Sequence, residues 1–119
     1  MRKVYYLKTC DTCKRIIKSL PDTTGMIFQD IKEEPITVKQ LEEMYALSKS
    51  YEKLFSKRAK LYKERNLKNE NLSETDYKNL ILEHYTFLSR PVFIIENKIF
   101  IGNSSKNIET LISELSKNK

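Results

Sequence analysis

Cys10-Asp11-Thr12-Cys13 lies between the apolar run Val4-Tyr5-Tyr6-Leu7 and the segment Lys14-Arg15-Ile16-Ile17-Lys18-Ser19-Leu20. Ile16, Ile17 and Leu20 recur at helical spacing, so the pattern predicts a strand that ends in Cys-x-x-Cys and opens into a helix. That order places Cys10 at the helix N-terminus, where unpaired N–H groups and the positive end of the macrodipole stabilise an anion. The thiolate is the reactive form, and its pKa is expected below the roughly 8.5 of a free thiol. Lys8, Lys14 and Arg15 act in the same direction and Asp11 against it. Cys13 falls about one turn further on, shielded and within reach of Cys10. The expected roles are therefore attack by Cys10 and resolution by Cys13.

Other uses of the pair are weaker. A structural disulfide closing a four-residue loop removes little unfolded-state entropy. A closed zinc site takes four ligands, whereas this chain has two cysteines and one histidine, His84, so no metal is expected. Two inert helical cysteines remain the plain alternative.

A chain of 119 residues suits one domain that buries roughly two-thirds of its unfolded surface. Only two glycines and three prolines, with many Lys, Glu, Leu and Ser, point to substantial helix. The apolar stretch after Met1-Arg2-Lys3 is too short for a signal-peptide core, and no run approaches a membrane span. A Cys-x-x-Cys without an export signal is expected in the cytoplasm, where cysteine pairs catalyse or sense.

The net charge is +6, and 49–68 carries eight Lys or Arg against two Glu. Lys49, Lys53, Lys57 and Lys60 would form one basic stripe if that segment were a continuous helix. A solvated face explains such a stripe, and a surface for an acidic partner, a phosphate-like anion or nucleic acid is the alternative. No DNA-binding motif accompanies it, so direct nucleic-acid binding is not expected.

Along the chain, 3–7 predicts a first strand, 11–19 a helix, and 26–30 a second, short strand. Thr37 with Gln40 has the form of a capping box, and Ser73-Glu74-Thr75-Asp76 starts another capped helix. Helix is expected from Thr37 onward, through 51–66, and again after Ser73, making a helical block at about 37–87. His84 is a helix residue with no catalytic role assigned. Val92-Phe93-Ile94-Ile95 and Ile99-Phe100-Ile101, separated by Glu96-Asn97-Lys98, predict a hairpin. A last helix buries Ile108, Leu111, Ile112 and Leu115, and 116–119 is expected to fray. The order β-α-β, helical insertion, β-β-α is that of an α/β, thioredoxin-like fold with a mixed four-stranded sheet, here a single domain over 1–119.

Three stretches carry a family resemblance. They are Thr9-Cys10-Asp11-Thr12-Cys13-Lys14, Leu54-Phe55-Ser56-Lys57-Arg58-Ala59-Lys60-Leu61-Tyr62, and Leu88-Ser89-Arg90-Pro91-Val92-Phe93-Ile94-Ile95 with Lys98-Ile99-Phe100-Ile101-Gly102. Together they resemble the thioredoxin-fold group that holds the glutaredoxin-linked arsenate reductases and the regulator Spx. The resemblance implies that Cys10 is the nucleophile, and that Arg58 and Arg90 surround it, bind an oxyanion and stabilise the thiolate. It also implies that Pro91 is cis and lies against the cysteine pair, with Thr12 inside the motif. Two departures stand out. The reductases use a third arginine after the hairpin, whereas no arginine follows Arg90 here. Cys13 is absent from the best-known reductases of this type and present in Spx.

The implied activity is a cytosolic thiol oxidoreductase resembling arsenate reductase. It would act on a small arsenate-like oxyanion or a disulfide, without a bound cofactor, and take electrons from glutathione and glutaredoxin or from thioredoxin. The alternatives are an Spx-like redox regulator that binds RNA polymerase and a general thiol-disulfide reductase. No membrane partner is expected, and nothing demands more than a monomer.

Overall fold

A computed structural model of the chain describes residues 1–117. Its elements are β1 (Arg2–Tyr6), α1 (Asp11–Ser19), β2 (Met26–Asp30), α2 (Val38–Ser48), α3 (Tyr51–Leu54), α4 (Lys60–Glu64), α5 (Glu74–Glu83), β3 (Val92–Ile95), β4 (Lys98–Ile101) and α6 (Ser105–Ser116). Two short 3-10 turns, Leu67–Asn69 and Tyr85–Phe87, flank α5. The chain divides into two compact units: Met1–Glu34 with Arg90–Lys119, and Pro35–Ser89. No helix among the described residues is long and apolar enough to cross a membrane.

The first unit is a four-stranded mixed sheet in the order β2-β1-β3-β4, with β1 parallel to β2 and antiparallel to β3, and β3 antiparallel to β4. This is the thioredoxin-like arrangement. Parallel pairing of β1 and β2 requires a crossover, which α1 supplies. One sheet face presents Val4, Phe93, Ile95 and Phe100, and α1 and α6 add Ile16, Leu20, Leu111 and Leu115 to the same core. The central strand β3 is buried at all four positions, hence its unbroken apolar sequence.

β1 ends one residue earlier than expected because the chain turns at Leu7, whose carbonyl accepts the Cys10 N–H at 3.1 Å. α1 and β2 have the expected bounds. The hairpin turn is Glu96-Asn97, with Glu96 in the left-handed region at φ 56°. The expected frayed end, 116–119, lies partly outside the described residues; within them α6 continues to Ser116.

In the second unit two capping boxes form, Thr37 with Gln40 and Ser73 with Asp76. The continuous helix expected over 51–66 does not. After α3 the backbone of Phe55 bridges to Leu88, Ser56 donates to the Phe87 carbonyl at 2.7 Å, and Ser89 donates to that of Leu54 at 2.8 Å. These long-range bonds consume groups that a helix would have used, so the chain is extended at Phe55 and restarts as α4. Burial of the Phe55 ring drives the exchange: it stacks on Phe87 at 5.2 Å and tilts against Tyr77 at 4.9 Å. The single basic stripe dissolves with the helix. Lys49 is a left-handed cap, Lys53 lies on α3, Lys57 in the following turn and Lys60 at the start of α4. Lys57 pairs instead with Glu52 at 2.7 Å, and Lys60 with Glu64 at 3.8 Å.

Candidate active site

Cys10 is the N-cap of α1, and its sulfur accepts the Cys13 backbone N–H at 3.4 Å. A cysteine in the place usually taken by Ser, Thr or Asp gives the first turn an acceptor that is best when ionised. Its own carbonyl accepts the Lys14 N–H at 3.1 Å, which starts the helix. The Cys10 side chain is half-buried, whereas Cys13 is 0% exposed, on the helix face that carries Ile16. Both thiols are free. The difference in exposure follows from position: the cap stands at the helix mouth, and the residue one turn on shares the spacing of the core face.

The two sulfurs titrate in opposite directions. Burial raises the Cys10 pKa. Hydrogen bonds from the Cys13 backbone and side chain, the Arg90 charge and a hydrogen bond from the Thr12 backbone outweigh it, so the thiol lies below its ordinary value. Burial pushes Cys13 up to about 11 against a hydrogen bond from the Leu7 backbone; the hydrogen bond to Cys10 and the charge there add to the rise, and Arg90 opposes it. The leading charge on Cys10 is thus Arg90, which takes the place expected for Lys8, Lys14 and Arg15.

Arg90 precedes β3, is half-buried, and has its Nε shielded from solvent. It is joined to Pro91 by a cis peptide bond, as the resemblance implies, and Pro91 is buried. The Pro91 carbonyl accepts the Gly102 N–H at 2.9 Å, which ties the start of β3 to the end of β4. Gly102 has φ 84°, a conformation that strains any side chain, so this turn favours glycine. Cys10, Thr12, Cys13, Arg90 and Pro91 all belong to the first unit, and Arg58 to the second, exposed in the turn between α3 and α4. His84 caps both α5 and the following 3-10 turn, its Nδ1 accepting the Thr86 N–H at 3.2 Å. Among the described residues, no group of three or more His, Cys, Asp or Glu could hold a metal ion.

These charges fix an alkylation profile. Iodoacetamide should modify Cys10 with a midpoint below the free-thiol value, because a lowered pKa increases the thiolate fraction at neutral pH. Cys13 should stay unmodified until the pH approaches about 11. Arg90→Ala removes an attractive charge and should move the Cys10 midpoint upward; an unmoved midpoint would show that Arg90 exerts no field there. Mass spectrometry of the labelled peptides reads both.

Comparison with known proteins identifies the family. The ArsC family model matches residues 5–111. Global transcriptional regulator Spx 1 of Bacillus cereus is 25% identical over 118 residues, covering 94% of this chain and 87% of that protein. A possible arsenate reductase from Streptococcus mutans is 25% identical with a TM-score of 0.74, covering 93% of this chain and 97% of the other. An ArsC-family-related protein of Bacteroides fragilis has a TM-score of 0.76 at 20% identity, over 92% and 97% of the two chains. With the family model spanning both cysteines, Arg90 and the hairpin, the chain belongs to the ArsC family.

Proposed function

We propose that the chain is a thiol oxidoreductase of arsenate reductase type, with Cys10 as nucleophile and Cys13 as resolving thiol. The observation that carries this reading is an accessible, acidified sulfur at the mouth of α1 with a buried, protonated one a turn below it. The Cys10 thiolate attacks arsenic(V) of an arsenate-like oxyanion and displaces hydroxide, which leaves as water, to form a thiol–arsenate ester. A second thiol, Cys13 or an external one, gives up its proton and attacks the Cys10 sulfur. The S–As bond breaks, its electron pair stays on arsenic, and arsenite departs as a disulfide forms. A dithiol donor of glutaredoxin or thioredoxin class, or glutathione, then returns two electrons.

Arg90 lowers the cost of the thiolate and offers a planar fork to the oxyanion. Family resemblance alone supports a role for Arg58 in binding the oxyanion and stabilising the thiolate, and Arg58→Ala is expected to weaken substrate affinity. Arsenate-dependent oxidation of glutathione or of reduced thioredoxin tests the reading. Steady turnover supports it; no turnover with either donor, while a known reductase turns over in the same mixture, removes arsenate as substrate.

A second reading, an Spx-like redox regulator that binds RNA polymerase, is favoured by Cys13 and by the absence of an arginine beyond Arg90. Affinity for RNA polymerase that differs between the dithiol and disulfide forms, without arsenate turnover, selects it.

A further inference from the structure

α1 carries two stripes of the same spacing. Cys13, Ile16, Ile17 and Leu20 follow i, i+3, i+4, i+7 and supply the core face. Asp11, Lys14, Arg15 and Lys18 repeat that spacing on the other side, and all four are exposed. The three cations repel one another, and Lys14 with Lys18 is a like-charge i, i+4 pair, which destabilises an isolated helix. Lys14 ends the first turn of α1 and Arg15 is its central residue, so of the three only Lys18, in the last turn, is favoured by the macrodipole.

Asp11 stands at the i, i+3 and i, i+4 spacing to Lys14 and Arg15 but closes no ion pair with them among the described residues. Among the described residues none of the three forms an ion pair, although Lys57, Arg65 and Lys98 elsewhere on the surface are paired with Glu52, Glu83 and Glu114. The three charges therefore face solvent unpaired. The cations begin one turn after Cys10 and span about 6 Å along the helix at its usual rise per residue.

We propose that Lys14, Arg15 and Lys18 dock an acidic dithiol protein that reduces the Cys10–Cys13 disulfide. The inference rests on the redox reading of that pair. Cys13 is 0% exposed, so the incoming thiolate reaches only the Cys10 sulfur. The donor sulfur bonds to Cys10 as the Cys10–Cys13 bond breaks, and Cys13 leaves with the electron pair and takes a proton. The donor's second thiol loses its proton and attacks the donor sulfur of the mixed disulfide, releasing Cys10 as thiolate. Two electrons have then passed from the donor, now a disulfide, to this chain. A nucleic acid would satisfy the charge but brings no thiol to the sulfur at the end of the stripe.

The test compares two reductants on the oxidised full-length chain: a reduced thioredoxin-class protein with an acidic surface, and dithiothreitol, which is neutral. For the variant K14E/R15E/K18E, the rate with the acidic protein should fall by about tenfold or more at low ionic strength. Its rate with dithiothreitol should be unchanged, and added salt should slow only the protein reaction of the wild type. The neutral variant K14Q/R15Q/K18Q should fall between the two, and it serves if charge reversal unfolds the chain. An unchanged rate with the protein donor, or an equal loss with both reductants, overturns the docking surface. So does stripe-dependent binding of a duplex oligonucleotide with an unaltered donor rate. Failure of the wild type to form a disulfide that dithiothreitol can reduce overturns the redox reading instead.

Discussion

Cys10→Ser is expected to reduce arsenate-dependent turnover to the uncatalysed level while leaving the fold intact. Serine is among the preferred N-cap residues, so its hydroxyl can accept the Cys13 N–H that the sulfur accepts now, and α1 keeps its start. What disappears is the polarisable anion: a serine hydroxyl is far less acidic than a thiol and stays protonated at neutral pH. Cys13→Ser separates the two proposed steps. Cys10 should still alkylate and still form the first adduct, but the adduct should persist until an external thiol removes it. Intact-mass measurement after exposure to arsenate, with and without glutathione, reads both outcomes. A Cys10→Ser protein that retains turnover would require a different nucleophile and end the proposed mechanism.

Phe93→Ala should destabilise the protein by about 3–5 kcal/mol, a large part of the total stability of a domain this size. Phe93 is 0% exposed in the middle of β3, pairs across the sheet with Val4 on one side and Phe100 on the other, and faces the helices of the first unit. Strands on both sides hold the backbone in place, so the neighbours cannot collapse into the space a missing ring leaves. Phe28, on the edge strand β2 and 41% exposed, provides the contrast, and its replacement by alanine should cost far less. Urea denaturation of the two variants, compared through their midpoints at equal slope, distinguishes a core loss from a surface one.

The parts of the fold legible in the sequence are those whose causes are local. α1 and β2 have the expected bounds because a capped amphipathic run and a turn at Gly25 specify them at short range. The Thr37 and Gln40 capping box and the cap at Ser73 are likewise read directly from the sequence, whereas the reciprocal bond from Asp76 emerges only in the structure. The break between α3 and α4 was not legible, since residues 51–66 hold helical spacing throughout and the competing partner, 87–89, lies some thirty residues away. Within the site, spacing alone places Cys10 at the helix mouth and Cys13 on the core face. It gives no reason to choose Arg90 as the charge that acts on both sulfurs. That choice came from family resemblance, because chain topology, not sequence proximity, brings the start of β3 to the end of β1. The Asp11-Lys14-Arg15-Lys18 stripe was present in the spacing, but its significance depends on the lack of ion pairs, which only the folded arrangement reveals.

α3 has four residues, below the length at which a helix sustains itself in water. It is held from outside. The Glu74 carboxylate accepts the Tyr51 N–H at 2.8 Å with one oxygen and the Glu52 N–H at 3.1 Å with the other. Glu74 is itself the first residue of α5, so the acceptor is positioned only when α5 has begun. The two helices therefore share one opening event: when the start of α5 unravels, the amides of Tyr51 and Glu52 lose their acceptor in the same step, and α3 has no independent existence to fall back on.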